Sequence, residues 1–322
     1  FDYLSTDTWM RTPALVSLAV CIAGYLVTFV LQDSGKHPSL SAISNFLAYG
    51  LGKSIFLWPI ALLLPIFTAV AWFGTTLPRE WFGTSLAGIA LAYLGIGQLL
   101  FKRAKEYRFP LHVFVYLLCL IAIPSSSADQ YALLTSLLIT VVSVGILAYL
   151  YNRVIETIIA SLLFIWPFQL SLEIFKVESY SQAFGYILLP SLVYIPVAIY
   201  LKKINKSGKQ EHHTPIFMTG YSMSVYAIAA SLIGRTSETF ASWIGVTIPL
   251  IATVLYTFSA SYFKTSKYGI GWSWASALTF AIAFGQALTL FNIPAQYIAL
   301  AWVGLAAVYM AVERLLSLVP EA

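Results

Sequence analysis

Charge is scarce in this sequence. Asp, Glu, Lys and Arg make up only 10% of its 322 residues, against about a quarter in an ordinary soluble domain. That scarcity excludes a solvated globular surface. With 59% hydrophobic residues, the chain suits hydrocarbon, which cannot solvate charge. Cysteine is nearly absent. Cys21 and Cys119 both lie inside apolar runs, which excludes a disulfide framework and a cysteine-ligated zinc. Histidine occurs at positions 37, 112, 212 and 213 only, and His112 has no evident partner ligand, so no metal and no cofactor is expected. Strict apolar/polar alternation is also missing, which excludes the strands of an outer-membrane barrel. The net charge of +5 comes without a basic stripe interleaved with aromatics. The basic residues flank apolar runs instead, so nucleic acid is not an expected partner.

What the sequence does have is length without charge. Its apolar runs are about 17 to 25 residues long, enough for a helix to cross a bilayer. The fold class that follows is all-α: a polytopic integral membrane helical bundle of about eleven transmembrane helices. The first span covers 12–31. A segment at 40–51 places Leu40, Ile43, Phe46, Leu47 and Leu51 on one face and reads as an interfacial helix. The apolar run 46–73 is too long for one untilted crossing. A second span at about 54–74 puts Lys53 at the membrane surface, and one at 46–67 puts it a third of the way in. The remaining spans are 82–101, 110–123, 131–151, 154–174, 182–201, 215–233, 240–263, 270–291 and 294–312.

Charge sets the topology. With alternate loops on opposite sides, all but four of the 18 Lys and Arg residues fall on one side; the exceptions are Arg11, Arg79, Lys176 and Arg235. The basic side is cytoplasmic by the positive-inside rule. The protein is then expected in a bacterial cytoplasmic (inner) membrane with its N-terminus outside and its C-terminus inside. The chain opens on Phe1 without a basic n-region, so no signal peptide is expected. An odd number of spans with an outer N-terminus predicts residues upstream.

An internal repeat is the most informative pattern. Phe56-Leu57-Trp58-Pro59 is followed by Ile66-Phe67, and Phe164-Ile165-Trp166-Pro167 by Ile174-Phe175, at identical spacing. Pro110, Leu111, Tyr116, Ala122 and Ile123 align with Pro215, Ile216, Tyr221, Ala227 and Ile228, and Tyr151 to Arg153 with Tyr262 to Lys264. A period of four spans keeps successive units in the same orientation, so the repeat is parallel rather than inverted. It divides a single membrane domain into a partial unit at 1–108 and full units at 109–209 and 210–314.

Candidate functional residues follow from cost. Pro59 and Pro167 fall near mid-membrane in aligned spans and are expected to kink them; Pro65, Pro190, Pro196 and Pro249 add further breaks. Freed carbonyls at such kinks line cavities. Trp58, Pro59, Trp166 and Pro167, with Lys53, Gln169 and Glu173, therefore form the cavity or contact set. Glu173 with Lys176, and Arg153 with Glu156, have the spacing of helix-end ion pairs. Trp72, Trp81, Trp243 and Trp272 read as interfacial anchors. The spacings Gly88/Ala92 and Ala281/Gly285 suit close helix contact. No paired carboxylates or acid–histidine pair marks a catalytic centre. The expected role is a non-catalytic scaffold or accessory subunit of a membrane assembly; the alternative is a transporter of a neutral or lipophilic substrate. Expected partners are membrane lipids, anionic headgroups at the cytoplasmic basic loops, and other membrane subunits.

Overall fold

The computed structural model describes residues 8–33, 54–73, 75–101, 107–204, 212–233, 243–263 and 269–317. Among these residues the chain is helical throughout, with no strand. Nine helical stretches, two of them interrupted at Phe164 and at Pro190–Tyr194, are long and apolar enough to cross a membrane, which is the composition of a polytopic integral membrane protein. Lys53 and the segment 40–51 lie outside the described residues.

The chain divides into two compact units, with the boundary between Phe175 and Lys176. This boundary falls one span before the end of the second sequence unit, because compactness follows packing whereas the repeat is a matter of pattern.

The first unit contains α1 (Thr8–Asp33), α2 (Leu57–Phe73), α3 (Phe82–Phe101), α4 (Arg108–Ser125), α5 (Gln130–Tyr151), α6 (Val154–Leu163) and α7 (Ile165–Ile174). α3 packs most closely on α4 and also on α5. Between lipid-exposed helices there is no water to expel, so association rests on packing and hydrogen bonds. The residues chosen fit that physics. Ala61, Ala87, Ala90 and Ala122 are fully buried and let the backbones approach. Tyr93 donates its hydroxyl to the Ala61 carbonyl at 3.0 Å. Thr84, Ser126 and Ser136 form a hydroxyl chain linking α3, the α4–α5 turn and α5, with separations of 3.1 and 2.6 Å. Asp129 caps α5 by accepting from the Ala132 N–H at 2.7 Å. Asn152, in the left-handed conformation at φ 53°, ends it.

The second span begins at Leu57, after a turn, in agreement with the register at about 54–74. Pro59 is therefore in the first turn of α2, not at mid-helix. Pro167 is likewise the third residue of α7, and the chain breaks at Phe164, just before that helix. At Pro59 the expected kink is replaced by a helix start, whereas at Pro167 the break at Phe164 falls within the span Val154–Ile174. A first-turn N–H of α2 has no intrahelical acceptor, so Pro59 removes nothing that helix uses, while Pro167 leaves the Leu163 carbonyl without its i+4 donor.

The second unit contains α8 (Ser179–Leu189), which runs through a π-helical turn at Pro190–Tyr194 into α9 (Ile195–Ile204). α10 (His213–Ile233), α11 (Trp243–Tyr262), α12 (Gly269–Leu290) and α13 (Ala295–Ser317) follow. α10 is outside the nine spans; its Ser, Thr, Tyr and His residues lower its hydropathy. α11 and α12 form the closest pair, joined by Thr253–Thr279 at 3.0 Å and Thr257–Ser276 at 2.6 Å. Tyr221 and Ser224 of α10 hydrogen-bond Ser259 and Tyr256 of α11 at 2.7 and 2.8 Å. Trp272, in the first turn of α12, packs on Tyr221 with 4.0 Å between ring centroids. Gly220 lets α10 reach the π turn: a Cβ there would come 2.9 Å from Tyr194 Cβ. Gly285 similarly receives Trp302 of α13, as its small-residue spacing predicts. Gly88 faces open space, so that half of the expectation is not met.

Candidate functional site

Polar and charged side chains concentrate in the first unit where α4 and α6 begin and α5 ends. α4 places Arg108, His112 and Tyr116 four residues apart, hence on one face. Tyr151 closes α5, and Arg153 and Glu156 open α6. His112 and Glu156 are only 1% and 5% exposed. The Glu156 carboxylate accepts, at Oε1, the Tyr116 hydroxyl at 2.7 Å and the Arg153 guanidinium at 3.4 Å. Oε2 is enclosed without a hydrogen-bond partner. His112 Nδ1 hydrogen-bonds the Tyr151 hydroxyl at 2.9 Å, and Nε2 is enclosed without one. That nitrogen lies where a Cβ on Gly97 would stand 2.7 Å away, so glycine is what lets α3 approach the imidazole. The Tyr151 ring carries a guanidinium from Arg108 at 4.7 Å and one from Arg153 at 5.6 Å.

This arrangement joins three helices by charge-assisted hydrogen bonds and cation–π contacts. Glu156 also sits in the first turn of α6, where the helix dipole favours negative charge. The cluster contains acid–base groups but no second carboxylate. Among the described residues, no group of three or more His, Cys, Asp or Glu is placed to hold a metal ion.

The cavity or contact set chosen from sequence is distributed otherwise. Lys53 is outside the described residues. Trp58 packs on α4 through Phe109 and Phe114, at 6.0 and 6.2 Å between ring centroids, with Nε1 buried and unpartnered. Pro59 is half-buried beside it, Trp166 is exposed, and Pro167 is buried. α2 packs on α1, α3 and α4, whereas α7 packs on α5 and α6, so the two Trp-Pro copies have different neighbours. Gln169 donates to Glu173 at 3.0 Å. Glu173 is thus engaged one turn back along its own helix rather than forward with Lys176, where the chain turns at φ 52°. The Arg153–Glu156 pair forms as its spacing predicts.

Sequence reasoning missed the link from Tyr116 to Glu156 and the Tyr151 platform. The available signal was the Arg108, His112, Tyr116 stripe along one helix face.

The second unit contains a groove of about 580 Å³ between α11 and the π turn with α9, lined from Ser191 to Lys203. Comparison with protein-family models, with curated proteins and with solved structures finds no match to this chain.

Proposed function

We propose that this chain is a non-catalytic polytopic membrane protein, a scaffold or accessory subunit of a membrane assembly. One observation carries the reading. α1 and α13 are long and apolar, yet each buries only 6% of its spanning window within the chain, against 44% for α11. Such helices offer whole faces to lipid or to other membrane subunits. The polar side chains inside each unit, by contrast, are largely engaged in hydrogen bonds within their own helix or to a neighbouring one.

The finer architecture belongs to the same proposal: about eleven crossings built from parallel four-helix repeats. Aligned positions with similar kinds of contact, made through different neighbouring helices, support it. Tyr151 and Tyr262 each carry a cation over the ring, Arg108 at 4.7 Å and Lys202 at 4.8 Å. The aligned His112 and Phe217 pack on those rings at 5.4 and 6.5 Å. The aligned Tyr116 and Tyr221 both hydrogen-bond a neighbouring helix. In this reading the chain lies in a bacterial inner membrane with its C-terminus cytoplasmic, and its basic loops meet anionic headgroups.

The test is gentle solubilisation of the full chain from its native membrane, followed by mass analysis of the intact assembly. A stoichiometric partner, lost when Val16 and Val20 of α1 are replaced by Trp, is the expected result. A chain that runs alone at its own mass would overturn the scaffold reading. The break at Phe164 and the π turn at Pro190–Tyr194 favour a second reading, transport of a neutral or lipophilic substrate, because irregular backbone in membranes lines cavities. Substrate-dependent flux in reconstituted vesicles would select it.

A further inference from the structure

We propose that the groove between α9 and α11 binds one anionic phospholipid, with an acyl chain along the groove and the phosphate at Lys203. The inference rests on the reading of this chain as membrane-spanning and adds to it a specific ligand.

Length is the first argument. Ser191 and Lys203 are the first and last lining residues along the π turn and α9. Twelve residues at 1.5 Å rise give about 18 Å, close to one leaflet, which is half of the roughly 30 Å hydrocarbon core. Shape is the second. Ile195 and Leu255 form a buried floor, while Val254 and Phe258 stand as exposed walls, so an alkyl chain gains contact on three sides.

Polarity is the third argument. Ser191, Tyr200 and Lys203 are the lining residues with polar side-chain atoms. The Ser191 hydroxyl is already donated to the Ile187 carbonyl at 2.8 Å, which leaves the inner end apolar in effect. Tyr200 and Lys203 lie one turn apart at the other end. The ligand is therefore amphipathic, with a single polar head. Charge fixes the sign of that head. Among the described residues, no acidic side chain lines the groove. Lys202, beside Lys203, adds a second cation, with Nζ over the Tyr262 and Phe263 rings at 4.8 and 5.1 Å. A phosphate without a compensating amine suits this end better than a zwitterion.

The experiment uses the full chain in nanodiscs of equimolar phosphatidylglycerol and phosphatidylcholine, released into native mass spectrometry. One retained phosphatidylglycerol per chain is expected. Its excess over phosphatidylcholine should be about five-fold, the effect of roughly 1 kcal/mol per lysine near a membrane surface. Lys203→Gln should remove most of that excess. Val254→Trp should fill the groove and abolish retention, while Ile155→Trp, an exposed position in the other unit, should not. A photoactivatable acyl chain on phosphatidylglycerol, applied to the unaltered chain, should label Ile199, Val254 or Phe258.

Equal retention of the two lipids, unchanged retention by a folded Val254→Trp protein, or labelling spread over α1 and α13 would each overturn the site. Release of the chain from native membranes by alkaline carbonate would overturn the membrane-spanning reading itself, and the site with it. A chain that stays in the membrane without lipid preference removes the site alone.

Discussion

Glu156 holds a carboxylate with one oxygen shared by a tyrosine hydroxyl and a guanidinium, and the other enclosed. Loss of a hydrogen bond to a charged group costs about 1.5 to 3 kcal/mol in water-soluble folds and less between membrane helices. Tyr116→Phe should therefore lower stability by about 1 to 2 kcal/mol, read as a shift in a denaturing-detergent titration. Glu156→Gln combined with Tyr116→Phe should cost less than the sum of the two; simple additivity would show that the bond contributes nothing. Gly97→Ala drives a methyl group towards the His112 ring and should cost about 1 to 3 kcal/mol, partly recovered by adding His112→Ala. Gly88→Ala, facing open space, should stay within about 0.5 kcal/mol of the parent. Which glycines matter was only partly legible in the sequence: Gly285 was, Gly97 was not. Gly88 had the better small-residue spacing, yet close approach is decided by what stands opposite, and that is a property of three dimensions.

Each span read from the apolar runs corresponds to helix, because length without charge is a local property. Where the helices break was harder to read. Pro167 was legible as a disruption, but not that α7 begins at Ile165, so that the residues preceding the proline absorb it. The Phe-x-Trp-Pro copies share this placement at the starts of α2 and α7. Restoring an N–H at position 167 lets it reach the Leu163 carbonyl, so Pro167→Ala should straighten the α6–α7 junction. Spin labels at the exposed positions Ile155 and Phe175 should then move apart, towards the roughly 30 Å of a straight twenty-residue helix. An unchanged distance would assign the break to packing around Phe164 rather than to the proline ring.

Two compact units and an exposed helix near each end of the chain leave orientation as the property to test on the whole molecule. In a chain with Cys21 and Cys119 replaced by Ala, Ser127→Cys should react with a membrane-impermeant maleimide on intact cells. Arg153→Cys should react only after permeabilisation. The reverse pattern would invert the topology, and labelling of both without permeabilisation would deny that α5 crosses. The sequence carried the topology argument because loop charge is countable. It did not carry the polar cluster at Tyr151, whose members are far apart in the chain and meet only when α4, α5 and α6 pack. Nor did it carry the groove, whose walls come from α9 and α11.

The π turn at Pro190–Tyr194 also changes the phase of everything after it. Such a turn holds one residue more than an α turn, and one residue is about 100° of rotation. From Ile195 onward, side chains point where an uninterrupted helix from Ser179 would have placed their neighbours. Lys202 over the Tyr262 ring and Lys203 at the groove mouth both depend on that offset. Removing one residue, such as the exposed Leu192, would leave the span long enough and as apolar as before. It would nonetheless swing both lysines to a different side of the helix. In this stretch, the angular position of a residue is counted from the π turn rather than from the start of the helix.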